Sequence, residues 1–173
     1  LKVNMSQAEQ VFRGAAQGKP INAYNILLPT VQQDAGDVHR VALAWRAWDV
    51  LNLVGMEHAH TLLRQSVRYC IDRERNRRRR NYPEPKIRRI LPKLMDQHKL
   101  AGRKLGTKRG DDKWLTELSD TIFGGSHYQA CEAVAIAISE GYSGDAIAEA
   151  IALASTKLVL NDPGRRNNGR RKG

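Results

Sequence analysis

Cysteine is scarce: the 173-residue chain has two, Cys70 and Cys131. They lie in separate apolar stretches, which predicts two reduced, buried thiols rather than a disulfide. No CxxC pair or Cys/His finger spacing occurs, so no structural zinc site is expected. Aromatic residues make up only 6%, while Ala and Leu are frequent, and that balance favours helices over sheets. No run approaches the roughly 18 apolar residues of a membrane span, so the expectation is a soluble, cytoplasmic chain. The opening Leu1-Lys2-Val3-Asn4 has neither an initiator Met nor a signal-peptide apolar region, which leaves a processed form or a fragment open. GxSxG, P-loop and GxGxxG patterns are also missing, so the common serine-hydrolase, nucleotide-triphosphate and dinucleotide chemistries have no local support.

What is abundant is positive charge, and it is segregated. The chain carries +11 overall. Residues 68–113 hold seventeen basic and six acidic side chains, while residues 114–156 hold six acids and no Lys or Arg. Residues 157–173 return to six basic against one acidic. Blocks of this kind point to a polyanionic partner, or to charge pairing within or between chains.

Apolar periodicity predicts helices along most of the length. Ser6 and Glu9 have capping-box spacing, ahead of a helix over 6–17. A short helix over 21–28 is expected to end before Pro29. Asp37 is the expected cap of a helix over 38–54, apolar around its whole girth and therefore placed at the centre of the core. A Gly55 link leads to a helix over 56–78, making an αα-hairpin. Ile87 to His98 repeat at helical spacing, with a kink or break expected at Pro92. Residues 101–112 read as a loop. Asp111 or Asp112, Ser126 and Ser143 cap three further helices, the last two forming a second, Ala-rich hairpin.

The fold class that follows is all-α, about seven helices packed as αα-hairpins in one bundle-like domain over 1–160. Its expected core comprises Trp45, Trp48, Leu62, Leu63, Val67, Ile90, Leu94, Val134, Ile138, Ile147 and Ile151. Residues 161–173 contain no apolar side chain and read as a flexible basic tail.

The strongest candidate site is the run Arg73, Arg75, Arg77, Arg78, Arg79 and Arg80, continued by Lys86, Arg88, Arg89 and Lys93. Guanidinium groups suit phosphates because their planar donors bind bidentately and stay protonated. Tyr82 beside the run is placed to stack on an unpaired base. One cation at a helix C-terminus is favoured by the dipole, but six within eight positions repel one another and call for an anion. Arg165, Arg166, Arg170, Arg171 and Lys172, spaced by Gly and Asn, form a second basic element in the tail.

Histidines are the other candidates. His58 and His60, two apart, do not share a helix face and make a poor metal pair. His39 begins one helix and His58 the next, and a tight hairpin would set His39 near the far end of the second. His127 follows Gly124-Gly125-Ser126 at a helix start, and His98 lies on an apolar face. The segment His39-Arg40-Val41-Ala42-Leu43-Ala44-Trp45-Arg46-Ala47 resembles the His-containing core helix of questin-oxidase-like helical oxygenases. That resemblance implies an enzyme reading, and no site residue is carried from it.

These observations favour a non-enzymatic module that binds a phosphate-rich polymer, RNA or an RNA–protein assembly before a specific DNA site, with no metal or other cofactor. No helix-turn-helix spacing supports DNA readout. One alternative is a small metal- or haem-dependent enzyme using His39, His58 and His127. Another is an assembly subunit whose basic block docks on acidic protein surface, including that of a second copy in a homo-oligomer.

Overall fold

The computed structural model describes residues 4–31 and 38–164. Among the described residues the chain is all-α: eight α-helices, one 3-10 turn, and a single isolated bridge between Lys108 and Tyr142. They fall into two compact units that divide between Arg88 and Arg89.

The first unit contains α1 (Met5–Ala15), α2 (Pro20–Val31), α3 (Val38–Val54), the 3-10 turn Met56–His58 and α4 (Ala59–Arg79). Asn4, not Ser6, caps α1: its side chain accepts from the Ser6 and Gln7 amides. Glu9 is drawn away from the expected capping box into an ion pair with Arg68. α2 runs through Pro29 to Val31 rather than stopping before the proline. Val31 is wholly buried, and its packing outweighs the one hydrogen bond that a proline removes from a helix. Asp37, the expected cap of α3, lies outside the described residues.

The hub of this unit is α4, against which α1, α2 and α3 all pack. Its core joins Phe12, Ala16, Ala23, Leu27, Val31, Ala44, Leu63, Val67 and Cys70. The expectation that 38–54 is the central helix is corrected accordingly. α3 turns Ala44 and Leu51 inward and leaves Trp45 56% and Leu53 86% exposed. A helix that is apolar all round offers no periodic signal to choose its buried face, and Trp45 sits one residue, about 100°, away from Ala44.

The second unit contains α6 (Asp112–Gly124), α7 (His127–Ser139) and α8 (Gly144–Leu160), and α5 (Ile87–Gln97) begins at the division. Pro92 does not split α5, which is one helix. Asp111 caps α6, Ser126 caps α7 in a full capping box with Gln129, and Ser143 caps α8. α8 packs chiefly on α6, more than on its hairpin neighbour α7. The core here is Leu115, Leu118, Ala137, Tyr142, Ile147 and Ala150. Ile151, expected inside, is 43% exposed because Ala150 takes the inward position.

The loop before α6 is pinned to the α7–α8 turn. The Lys108 amide donates to the Gly141 carbonyl (3.0 Å) and the Ser143 amide to the Lys108 carbonyl (2.9 Å). The Trp114 and Tyr142 rings stack with centroids 3.8 Å apart, and Lys108 Nζ lies 4.1 Å from the Tyr142 centroid. Glycine is required for this approach. A Cβ on Gly106 would meet the Gly141 carbonyl oxygen at 2.0 Å, and one on Gly110 the Trp114 ring at 2.1 Å.

Candidate nucleic-acid interface

The arginine run occupies the last turns of α4 and its exit. Arg80 is the C-cap, Asn81 takes the left-handed conformation (φ 52°), and the Tyr82 amide bonds back to the Arg77 carbonyl at 3.0 Å. The Asn81 amide bonds the Arg78 carbonyl at 3.1 Å, completing a Schellman motif. Arg77 Nη1 also donates to the Tyr82 carbonyl, at 2.8 Å. The backbone that carries Tyr82 is therefore fixed, while its side chain remains exposed at the helix end.

One carboxylate sorts the arginines. Glu74 Oε1 accepts from Arg77 Nη2 (2.6 Å) and Arg78 Nε (3.0 Å). Glu74 Oε2 accepts from Arg77 Nε (3.0 Å) and Arg88 Nη2 (2.9 Å). The side chains of Glu74, Arg77 and Arg88 retain 15%, 20% and 16% exposure. The Arg77 bonds, with those from Arg88 and Arg78, hold the Glu74 carboxyl far below the usual carboxylate range despite the opposing effect of burial. Arg88 continues to Glu84 Oε1 at 3.5 Å.

The remaining members face outward. Arg79 Nη2 reaches Asn76 Oδ1 at 3.2 Å, and Arg80 Nη1 reaches the Tyr82 hydroxyl at 3.4 Å. Neither makes an ion pair among the described residues. Arg73 and Arg75 are exposed, Arg75 lying 3.7 Å from Asp72, and Lys86 is exposed beyond the turn. A surface cleft of about 470 Å³ is lined by Asp72, Arg75, Asn76 and Arg79. Residues 72–88 hold eight basic side chains against three acidic ones. Arg89 belongs to the second unit, where Lys93 Nζ lies 5.2 Å from the Tyr128 ring. Arg165, Arg166, Arg170, Arg171 and Lys172 lie outside the described residues.

The histidines of the enzyme reading do not converge within the first unit. His39 at the start of α3 lies beside Tyr69 of α4, ring centroids 6.1 Å apart, as a tight hairpin predicts. His58 lies beyond the other end of α3, about 25 Å along a 17-residue helix. Its side chain is 56% exposed, and its ring nitrogen is 3.9 Å from Glu57. His127 is the exposed first residue of α7 in the second unit. Among the described residues no group of three or more His, Cys, Asp or Glu side chains could hold a metal ion. Cys70 is buried and Cys131 half-buried, neither in a disulfide, and burial raises the Cys131 pKa, the opposite of an activated nucleophile.

Sequence reasoning missed Glu74 as the organising residue. Its signal is present in part, since Arg77 and Arg78 stand at i+3 and i+4, but Arg88 arrives from α5. It also missed the Lys108–Tyr142–Trp114 stack, whose members are distant in sequence. Among the described residues no helix is long and apolar enough to cross a membrane. No protein-family model, curated protein or solved structure matches this chain.

Proposed function

We propose that this protein is a non-enzymatic module that binds a phosphate-rich polymer, RNA in preference to a specific DNA site, through the end of α4. The observation that carries this reading is the division of labour around Glu74. One carboxylate fixes Arg77, Arg78 and Arg88, so the scaffold is rigid. Arg79 and Arg80 then stand outside that clasp beside an exposed Tyr82. Cations next to an exposed aromatic ring fit a single strand, whose backbone takes the charge while a base takes the ring. The excess of basic over acidic side chains in 72–88 supplies the sequence-independent attraction. Two cysteines outside any disulfide accord with a reducing, cytoplasmic setting.

The test is titration of the protein into a labelled single-stranded RNA at two salt concentrations. Affinity that falls steeply with salt and varies little with sequence supports the reading. The absence of salt-sensitive binding overturns it. Sedimentation of the same samples detects docking on acidic protein surface, such as residues 114–156 of a second copy, as self-association without RNA.

A further inference from the structure

α1 and α4 run antiparallel and face each other with polar side chains at helical spacing. Ser6, Glu9, Gln10 and Arg13 come from α1, and His60, Arg64 and Arg68 from α4. Glu9 closes one end of the row through its ion pair with Arg68. The Phe12 and His60 rings close the other, with centroids 5.0 Å apart. Between these contacts lies a cavity of about 140 Å³ lined by Ser6, Glu9, Gln10, Arg13, His60 and Arg64. His60 Nε2 and Arg64 Nε are buried there with no hydrogen-bond partner among the described residues. Buried polar atoms without partners are costly, and a native structure keeps them where water or a ligand completes the hydrogen bonds.

The charge balance selects that partner. Arg13 and Arg64 make no ion pair among the described residues. Glu9, the one acid lining the small cavity, pairs with Arg68 and also interacts with Arg64. Against the three arginines Arg13, Arg64 and Arg68, that single carboxylate leaves a net excess of two positive charges. A monocarboxylate neutralises one of them, whereas a phosphomonoester carries close to two negative charges at neutral pH and offers three acceptor oxygens. Arg13 and His60 also line an adjoining cavity of about 590 Å³, walled in part by Ala16, Pro20, Met56 and Ala59. That volume is in the range of small-molecule sites. Glu57, the acid of the larger cavity, is 74% exposed and sits beside His58.

We infer that the α1–α4 cleft binds a small phosphomonoester, with the phosphate between Arg13, His60 and Arg64 and the organic body in the larger, more apolar cavity. The inference is independent of the α4 terminus, because none of its residues belongs to the Arg79–Arg80–Tyr82 surface.

Isothermal titration with inorganic phosphate, phenyl phosphate and benzoate tests it. Phenyl phosphate should bind saturably and more tightly than inorganic phosphate, and benzoate at least about tenfold more weakly than phenyl phosphate. Arg13→Gln and Arg64→Gln should each weaken phenyl phosphate roughly tenfold or more, the usual effect of removing a hydrogen bond to a charged group. Arg79→Gln should leave it unchanged. Nitrogen-15 spectra of the wild type read the site directly should either variant fail to fold: the Arg64 Nε–H and His60 ring resonances should shift on adding phenyl phosphate. Absence of saturable phosphate binding, equal binding of benzoate, or unmoved Arg64 and His60 resonances overturns the inference. Displacement of phenyl phosphate by an RNA oligonucleotide lacking terminal phosphates also overturns it, by assigning the cleft to phosphodiesters.

Discussion

Glu74 and Arg77 form a bidentate pair one helical turn apart, Oε1 to Nη2 at 2.6 Å and Oε2 to Nε at 3.0 Å. The pair is mostly covered, and it recruits Arg78 from its own helix and Arg88 from the start of α5. Charge-assisted bonds of this geometry are about twice as strong as neutral ones, and they hold the chain where α4 ends.

Removing that carboxylate should cost stability. Glu74→Gln keeps the size but removes the carboxylate that Arg77 and Arg88, both mostly covered, share, and Arg88 keeps only its longer contact to Glu84. A loss of about 1–3 kcal/mol is expected in urea denaturation at pH 7. The dependence on pH follows from the direction of the shift. The folded-state pKa is depressed, so the stabilisation is complete above the unfolded value of about 4.3 and drains away as the pH falls towards the lower folded value. The wild-type advantage over Glu74→Gln should therefore be constant from about pH 7 to pH 5 and shrink below that. A variant as stable as wild type at pH 7 would remove Glu74 from its organising role.

The two sides of α3 and α4 should respond unequally to truncation. Leu63 is wholly buried at the centre of the first unit, so Leu63→Ala should cost about 2–5 kcal/mol. Trp45 is 56% exposed, so Trp45→Ala should cost under about 1 kcal/mol. Melting curves of the two variants make the comparison. A larger loss for Trp45→Ala would mean that α3 buries its opposite face.

Local chemistry was legible in the sequence, and long-range choice was not. Asp111, Ser126 and Ser143 act as caps where the sequence places them, because a cap depends on its own helix start. Ser6 and Glu9 have equally good spacing, but Glu9 pairs with Arg68, 59 positions away, and Asn4 takes the cap. Pro29 reads as a stop, and only the burial of Val31 carries the helix past it. The division into two cores was hidden because the apolar positions of a helix do not name the helix they pack against. The arginine run was plain as a charge, yet which of its members Glu74 holds depended on Arg88 of another helix.

The second unit offers a sharper test of close packing. Gly110→Ala would drive a Cβ into the Trp114 ring, which cannot retreat from its stack on Tyr142 without unpinning the loop. A loss of about 1–3 kcal/mol is expected, as for overpacking generally. The near-ultraviolet signal of Trp114 should weaken while the far-ultraviolet helix signal stays. Unchanged near-ultraviolet ellipticity and melting would show that the stack yields freely.

The proposed interface predicts different outcomes for arginines three residues or fewer apart. Arg79→Gln with Arg80→Gln should leave folding nearly unchanged, since both side chains are exposed at a helix end. The same double variant should flatten the dependence of log affinity on log salt by about 1.4, at roughly 0.7 per lost single-strand contact. Tyr82→Ala should weaken RNA by about 1–3 kcal/mol with little change in that slope, because stacking releases no counterions. Arg77→Gln should behave in the opposite way, lowering stability through Glu74 more than it alters RNA binding. Anisotropy titrations at two salt concentrations, paired with urea denaturation of each variant, measure both quantities. Equal effects of Arg77 and Arg79 on the salt slope would mean that the Glu74 clasp does not sort these arginines. A double variant that loses self-association, without change in RNA binding, would assign the same surface to an acidic protein partner.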